Sequence, residues 1–167
     1  FNKEIKNSSS KKEQVINTES SRYVQNISKE STKEEKDLFL WMKNVYTPID
    51  KLIGQILNSF PSQLRKLSAD PYDDLLMESF CNYLEASQKK IETVTHLYQK
   101  ISAPAAIQQF SLRLYYCFSQ VQDALKELEL YTNGYVDNYL HDGNEMLREA
   151  KKNRSRLHEI RRELPKY

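Results

Sequence analysis

The stretch from residue 70 to residue 131 most constrains the fold of this chain, because apolar residues recur along it at steps of three and four. Such spacing is typical of amphipathic helices. The first run comprises Leu76, Phe80, Leu84, Ile91, Val94, Tyr98 and Ile101. The second run comprises Ile107, Phe110, Leu114, Cys117, Val121, Leu125, Leu128 and Tyr131. Only a short Ser-Ala-Pro segment separates the runs, which predicts two long antiparallel helices.

A further helix is predicted before this pair. Thr32 and Glu35 have the spacing of a capping box, which indicates a helix start. Apolar residues follow at helical spacing: Leu38, Met42, Val45, Ile49, Leu52, Ile56 and Phe60. Pro48 lies inside this pattern and is expected to kink or split the helix one or two residues earlier. Pro61 is expected to end the helix, which leaves residues 60–69 as a connection.

The first helix of the central pair has a proline-based start signal. Asp70 is predicted as its N-cap and Pro71 as its first helical residue. Asp73 and Asp74 then place negative charge near the positive end of the helix dipole.

Two glycines are alternative turns before the last helix. A turn at Gly134 gives four helices of similar length, whereas a turn at Gly143 gives a very long third helix and a short fourth one. Matched lengths bury more apolar surface, so we expect the turn at Gly134. The expected helices lie near residues 33–59, 71–102, 104–132 and 134–163.

These patterns predict an all-α fold, an antiparallel up-down-up-down four-helix bundle with a polar N-terminal tail. The bundle domain is expected to span residues 32–167. Its core is expected to include four residues of the central pair: Phe80, Leu114, Val121 and Leu128.

Residues 1–31 have few apolar side chains and many Ser, Lys, Glu and Asn residues. Such a segment buries too little surface to offset its chain entropy, so we expect a tail or linker, or alternatively an extension of the first helix. The sequence begins with Phe1 and shows no signal segment, which we interpret as a processed or trimmed chain. A polar linker at this place is typical of a bacterial lipoprotein after processing, although a cytoplasmic fragment would look the same. We favour an extracytoplasmic, membrane-tethered location.

The overall charge and composition disfavour several functions. A net charge of +2 gives no general attraction to nucleic acid, and no helix-turn-helix spacing is present. The 3 glycines cannot build a glycine-rich phosphate loop. No apolar stretch approaches the roughly 18 to 20 residues that span a bilayer.

The two cysteines, Cys81 and Cys117, lie on different helices of the central pair. Counted from the turn at about 1.5 Å per residue, they are offset by roughly 12 Å along the helix axis. A disulfide tolerates only about 7 Å between Cα atoms. We therefore predict two free thiols that act as small core residues, which suits a reducing compartment.

No catalytic, cofactor or metal site is predicted. A di-metal site in a helical bundle needs a Glu-x-x-His motif from each of two helices. None of His96, His141 and His158 has a glutamate three residues before it. Cys117 lies on an apolar stripe, where burial raises the pKa of a thiol and leaves it unreactive. We therefore expect a protein that is not an enzyme.

The last predicted helix carries the clearest charge asymmetry. Lys151, Lys152, Arg154 and Arg156 lie within two turns and spread around the helix. We predict these four residues as a candidate contact with an anionic surface, the alternative being a solvated or internally paired helix face. The tyrosines at 131, 135 and 139 either border the core or form an aromatic contact surface.

Three function classes follow from these observations. The first is a non-enzymatic helical-bundle interaction module, tethered to a membrane through its N-terminal linker in the manner of a lipoprotein. The second is a cytoplasmic adaptor or partner-binding bundle. The third is a small-molecule sensor or enzyme with a pocket between helices. The expected partner is another protein or an anionic surface.

Overall fold

Four long helices joined by short turns form the bundle. The computed structural model describes residues 32–165, so the predicted tail at residues 1–31 lies outside the described residues. The helices are α1 (Thr47–Ala69), α2 (Asp74–Lys100), α3 (Gln108–Gly134) and α4 (Asp137–Glu163). No strand occurs in the described part of the chain. The prediction of an all-α four-helix bundle is confirmed, with consecutive helices antiparallel and in contact.

The chain divides into two units between Phe39 and Leu40. Within the first unit, residues 32–39 are described, and they are helical. The second unit, Leu40–Lys166, contains the complete four-helix bundle.

A π-helical turn, Met42–Tyr46, precedes α1. The Thr47 N–H donates to the Met42 carbonyl, one residue further back than in an α-helix. Pro48 follows at the first turn of α1, where its missing N–H is tolerated best. The helix therefore changes its hydrogen-bond register at the place where this proline was expected to disturb it.

The prediction that Pro61 ends the first helix is wrong. Pro61 lies inside α1, which continues to Ala69. A proline in this position removes the N–H donor to the carbonyl of Leu57 and strains the helix. Burial compensates for this cost, because Leu67, one and a half turns later, is almost completely buried.

The start of α2 also differs from the prediction. Asp73, and not Asp70, is the N-cap, and its side chain accepts hydrogen bonds from the N–H groups of Leu75 and Leu76 at 2.9 and 3.1 Å. Asp70 instead begins a turn that contains Pro71 and is closed by the Asp73 N–H donating to the Asp70 carbonyl at 3.2 Å. Because α1 extends to Ala69 and α2 begins at Asp74, only residues 70–73 remain to reverse the chain direction.

The turn between α2 and α3 contains a short 3₁₀ helix, Ala105–Ile107, after an extended Pro104. The Gln108 side chain donates to the Ala103 carbonyl at 2.7 Å and closes the turn. As a result, α3 begins at Gln108, four residues later than predicted.

The turn between α3 and α4 lies at Gly134, as predicted. The left-handed residue of this turn is Tyr135, with φ 57°, and its N–H donates to the Tyr131 carbonyl at 2.8 Å. Gly143 is buried inside α4. A Cβ atom there would lie 2.7 Å from the Leu128 side chain, so this glycine permits close packing of α3 and α4.

The core follows the predicted apolar stripes. Phe80, Leu114, Val121 and Leu128 are all buried. Both cysteines are unpaired, but the prediction that both are core residues is wrong for Cys81, which is exposed. Successive helical residues are rotated by about 100°, so Cys81 points away from the core that its neighbour Phe80 occupies.

Candidate functional site

A polar cluster joins α1 to α4. Asp50 on α1 accepts hydrogen bonds from the Arg154 guanidinium of α4, with Nε 2.9 Å from Oδ1 and Nη2 3.4 Å from Oδ2. The His158 Nε2 lies 2.7 Å from the same Oδ1. The side chains of Asp50 and Arg154 are only 23% and 22% exposed. We call these three residues the Asp50 bridge.

Gly54 provides the space for this bridge. It lies one turn after Asp50 on α1, and a Cβ atom at Gly54 would lie 2.6 Å from Nη2 of Arg154. The absence of a side chain therefore allows the guanidinium to lie against the backbone of α1.

Two protonated side chains lie in the electrostatic field of the bridge. The pKa of the Cys117 thiol is raised to about 12, mainly by burial. Of the two charged neighbours, Arg154 lowers this pKa and Asp50 raises it. Burial likewise raises the pKa of Tyr46 to about 12, and the carboxylate of Asp50 adds to this rise. Cys117 is therefore a neutral thiol at pH 7, as its predicted lack of reactivity requires.

A groove separates α1 from α4 on one side of the Asp50 bridge, with a volume of about 490 Å³. Apolar side chains form its floor and walls: Leu57, Phe60, Pro61, Leu64 and Leu147. Arg65, Arg148 and Lys151 supply its charged side chains, and Asn144 completes the lining. We call these nine residues the α1–α4 groove.

An exposed aromatic surface lies at the end of the bundle that holds the turns before α2 and α4. The rings of Tyr72 and Tyr135 stack with centroids 5.6 Å apart, and Tyr135 also contacts Tyr131. Tyr72 is 79% exposed and Leu75 is 77% exposed. Tyr72, Leu75, Tyr135 and Val136 are all exposed, and we call them the tyrosine end.

The tyrosine end has an acidic border. Asp70, Asp73, Asp74 and Asp137 lie within two residues of its members in the sequence. Residues 69–77 and 131–139 contain no lysine, arginine or histidine. Burial raises the pKa of Tyr131 beneath this surface, and the nearby Asp137 raises it further.

The predicted basic contact residues do not share one environment. Lys151, Lys152 and Arg156 are exposed on α4, and Lys152 lies 3.9 Å from Glu149. Arg154 is instead held in the Asp50 bridge and is mostly buried. The basic surface that remains accessible therefore consists of three of the four predicted residues.

The Asp50 bridge is not predicted from the sequence. The sequence pattern addresses His158 only as a metal ligand, and no group of three or more His, Cys, Asp or Glu residues in the described part of the chain is arranged to hold a metal ion. Asp50 and Gly54 share one helix face, as do Arg154 and His158, and this spacing was the available signal.

No described helix is long and apolar enough to cross a membrane.

Comparison with known proteins gives a family assignment. Residues 33–165 match the family described as the cyanobacterial DnaJ chaperone, C-terminal domain. Comparisons with curated proteins and with solved structures gave no significant match. The matched segment covers most of the chain and includes all four helices of the bundle. The chain therefore belongs to the family of the cyanobacterial DnaJ chaperone C-terminal domain.

Proposed function

We propose that this domain is a non-enzymatic protein-interaction module of a DnaJ-type chaperone and that it binds polypeptide through the tyrosine end. The exposed, stacked pair Tyr72 and Tyr135 is the observation that carries this proposal. Aromatic side chains lose little conformational entropy on binding and dominate the energetics of protein interfaces. The family assignment supports the proposal, because a chaperone domain is expected to contact other proteins.

The chemistry of the surface specifies the polypeptide. Four aspartates border the tyrosine rings, and the two turns that form the surface contain no basic residue. A segment that combines lysine or arginine with leucine-like side chains fits this border by ion pairing, and its cations can lie on the tyrosine faces. The proposed partner is therefore a basic, partly apolar segment of another protein.

A binding measurement with matched variants tests this proposal. The probe is a fluorescein-labelled 18-residue peptide of lysine and leucine in an amphipathic helical pattern. In the Tyr72→Ser/Leu75→Ser variant we expect the Kd to rise at least tenfold, which corresponds to about 1.4 kcal/mol, since loss of an aromatic hot spot costs about 2 kcal/mol or more. The Leu112→Ser/Tyr116→Ser variant removes the same two residue types from an exposed face of α3 and should bind as the wild type does.

Fluorescence anisotropy gives the Kd of each variant, and circular dichroism confirms that each is folded. Equal weakening in both variants, or no binding of the peptide by the wild type, would contradict the role of the tyrosine end.

A second candidate function is contact with an anionic surface through Lys151, Lys152 and Arg156. The exposure of these side chains on one segment of α4 favours it. Each basic residue near an anionic bilayer contributes about 1 kcal/mol, and salt screens this attraction. Co-sedimentation with vesicles should decrease when all three residues are changed to glutamate and should persist in Arg154→Met, because Arg154 is held by Asp50. The family assignment adds no support for the lipoprotein-like tether.

A further inference from the structure

The side of the bundle between α1 and α4 is more open than its other three sides. The pairs α1–α2, α2–α3 and α3–α4 pack closely along their lengths, whereas α1 and α4 approach each other closely at few positions. The Asp50 bridge joins these two helices through side chains. Beyond the bridge, the helices separate around the α1–α4 groove.

The accessible lining of the groove combines apolar and cationic side chains. Leu64 is half-buried, and Pro61 is exposed. The fully buried Leu57, Phe60 and Leu147 continue this apolar lining into the core. A volume of about 490 Å³ lies in the range of about 300 to 1,000 Å³ that is typical of binding sites.

The charges around the groove are uneven. All three charged side chains that line it, Arg65, Arg148 and Lys151, are cationic. Residues 51–69 of α1 contain no aspartate or glutamate, and they include two further lysines, Lys51 and Lys66. Within the described residues, Arg148 has one ion pair, an exposed contact with Glu145 at 3.6 Å, and Arg65 and Lys151 have none. A partner that fits this groove must therefore carry negative charge beside its apolar face.

The shape of the groove favours a helical partner. Its lining on α1 extends from Leu57 to Arg65, which is about 12 Å along the axis and corresponds to roughly two turns. A groove between two antiparallel helices accepts the apolar face of a third helix, with side chains at helical spacing inserted between them.

We infer that the α1–α4 groove binds an acidic amphipathic helix of a partner protein. The leucine-like side chains of that helix pack against Leu64 and Pro61. Its carboxylates pair with Arg65, Arg148 and Lys151 at the edges of the groove. This site is separate from the tyrosine end and has the opposite charge preference.

The full chain is tested with a fluorescein-labelled 18-residue peptide of leucine and glutamate in an amphipathic helical pattern. We expect Arg65→Glu/Arg148→Glu to weaken its binding at least tenfold, because two attractive contacts become repulsive. The control variant Arg113→Glu/Lys126→Glu makes the same charge change on α3, outside the groove, and should alter the Kd less than twofold. Leu64→Gln should also weaken binding, since it removes an apolar contact without changing the charge.

Two further measurements separate this proposal from the others. Binding of the lysine and leucine peptide at the tyrosine end should not weaken in Arg65→Glu/Arg148→Glu, and Tyr72→Ser/Leu75→Ser should not weaken binding of the glutamate peptide. Equal weakening by the groove and α3 charge reversals would overturn the groove as the site. Binding to anionic vesicles that depends on Arg65 and Arg148, without binding of the glutamate peptide, would assign the groove to a membrane and overturn the proposal of a protein partner.

Discussion

Gly143 and Tyr135 show how single residues permit the close pairing of α3 and α4. Gly143 has no side chain where the Leu128 side chain approaches, and the Ala124 carbonyl lies 3.3 Å from the position of a Cβ atom. Tyr135 takes the left-handed conformation that ends α3, although glycine is the usual residue there. Gly134 beside it has no positive φ, so the turn does not use the conformational freedom of this glycine.

The first prediction concerns Gly143→Ala. Alanine is a better helix former than glycine by about 1 kcal/mol, but its Cβ atom would overlap with fully buried Leu128. Overpacking of this kind costs about 1 to 3 kcal/mol, so we expect a net loss of stability of about 1 kcal/mol in urea unfolding. Gly134→Ala is the control, because its Cβ atom would meet only Val136 at 3.9 Å. Its stability should be unchanged or rise by up to about 1 kcal/mol, because Gly134 is also helical and no atom opposes the added Cβ atom. Equal stabilities of the two variants would show that the Leu128 side chain moves away from the added Cβ atom with no loss of stability.

The second prediction concerns the coupling between Leu128 and Gly143. Leu128→Ala alone should cost about 2 to 5 kcal/mol, because Leu128 is fully buried. Adding Gly143→Ala to that variant should cost less than it does in the wild type, since the atoms it would overlap are gone. A double-mutant cycle should give a favourable coupling of about 1 kcal/mol. Additive effects would contradict the direct contact between these two positions.

At the scale of the elements, α1 and α4 are held together differently from the other helix pairs. The α3–α4 pair packs through small and apolar residues such as Gly143 and Ala150. The α1–α4 pair has the Asp50 bridge, in which one carboxylate receives both Arg154 and His158. A polar contact between residues far apart in the sequence therefore connects the first and last helices of the bundle.

The third prediction concerns Asp50→Ala. This change removes the partner of a guanidinium that is 22% exposed and leaves its N–H groups without a carboxylate. We expect stability to fall by about 1 to 3 kcal/mol, because an unpaired, partly buried polar group costs its desolvation. Glu85→Ala is the control, since the Glu85–Lys89 pair is largely exposed and should contribute less than about 0.5 kcal/mol. Urea unfolding gives the stability of each variant. Equal losses of stability would contradict the prediction, because the Asp50 bridge would then contribute no more than an exposed ion pair.

At the scale of the whole molecule, burial keeps three acidic groups protonated in the folded state. The pKa of Cys117 rises from 9.0 to about 12, and that of Tyr46 rises from 10.0 to about 12. Burial also raises the pKa of Tyr83 to about 12, while its hydroxyl donates to the Ile56 carbonyl at 2.7 Å. These groups belong to three different elements, α3, the π-helical turn and α2.

The fourth prediction follows from the sign of these shifts. Above pH 9 the unfolded chain releases the Cys117 proton, whereas the folded protein retains it up to about pH 12. The native state then binds more protons, so the contribution of these groups to the free energy of unfolding is complete below pH 9, and the free energy of unfolding should fall as the pH rises from 9 towards 12. Cys117→Ala should reduce this fall between pH 9 and 10, and Cys81→Ala, at an exposed thiol, should not. Parallel pH profiles for wild type and Cys117→Ala would contradict the burial of that thiol.

The sequence by itself determined the number and order of the helices, their antiparallel arrangement and their core stripes. These properties depend on apolar spacing and on short connections, and both are local in the chain. The turn at Gly134 was also predictable, because one simple comparison of helix lengths decided it. The spacing of the tyrosines near this turn also predicts a contact surface as one alternative, although Tyr72, which completes the surface, lies 63 residues from Tyr135 in the sequence.

Only the tertiary structure decided where local signals were overridden and which distant residues meet. Burial of Leu67 extends α1 beyond Pro61, and this extension moves the cap of α2 from Asp70 to Asp73. The pairing of Asp50 with Arg154 spans 104 positions, and the spacing of Asp50 and Gly54 or of Arg154 and His158 does not indicate which two helix faces meet. The α1–α4 groove arises for the same reason, since it depends on how far apart two helices lie after the whole bundle has packed.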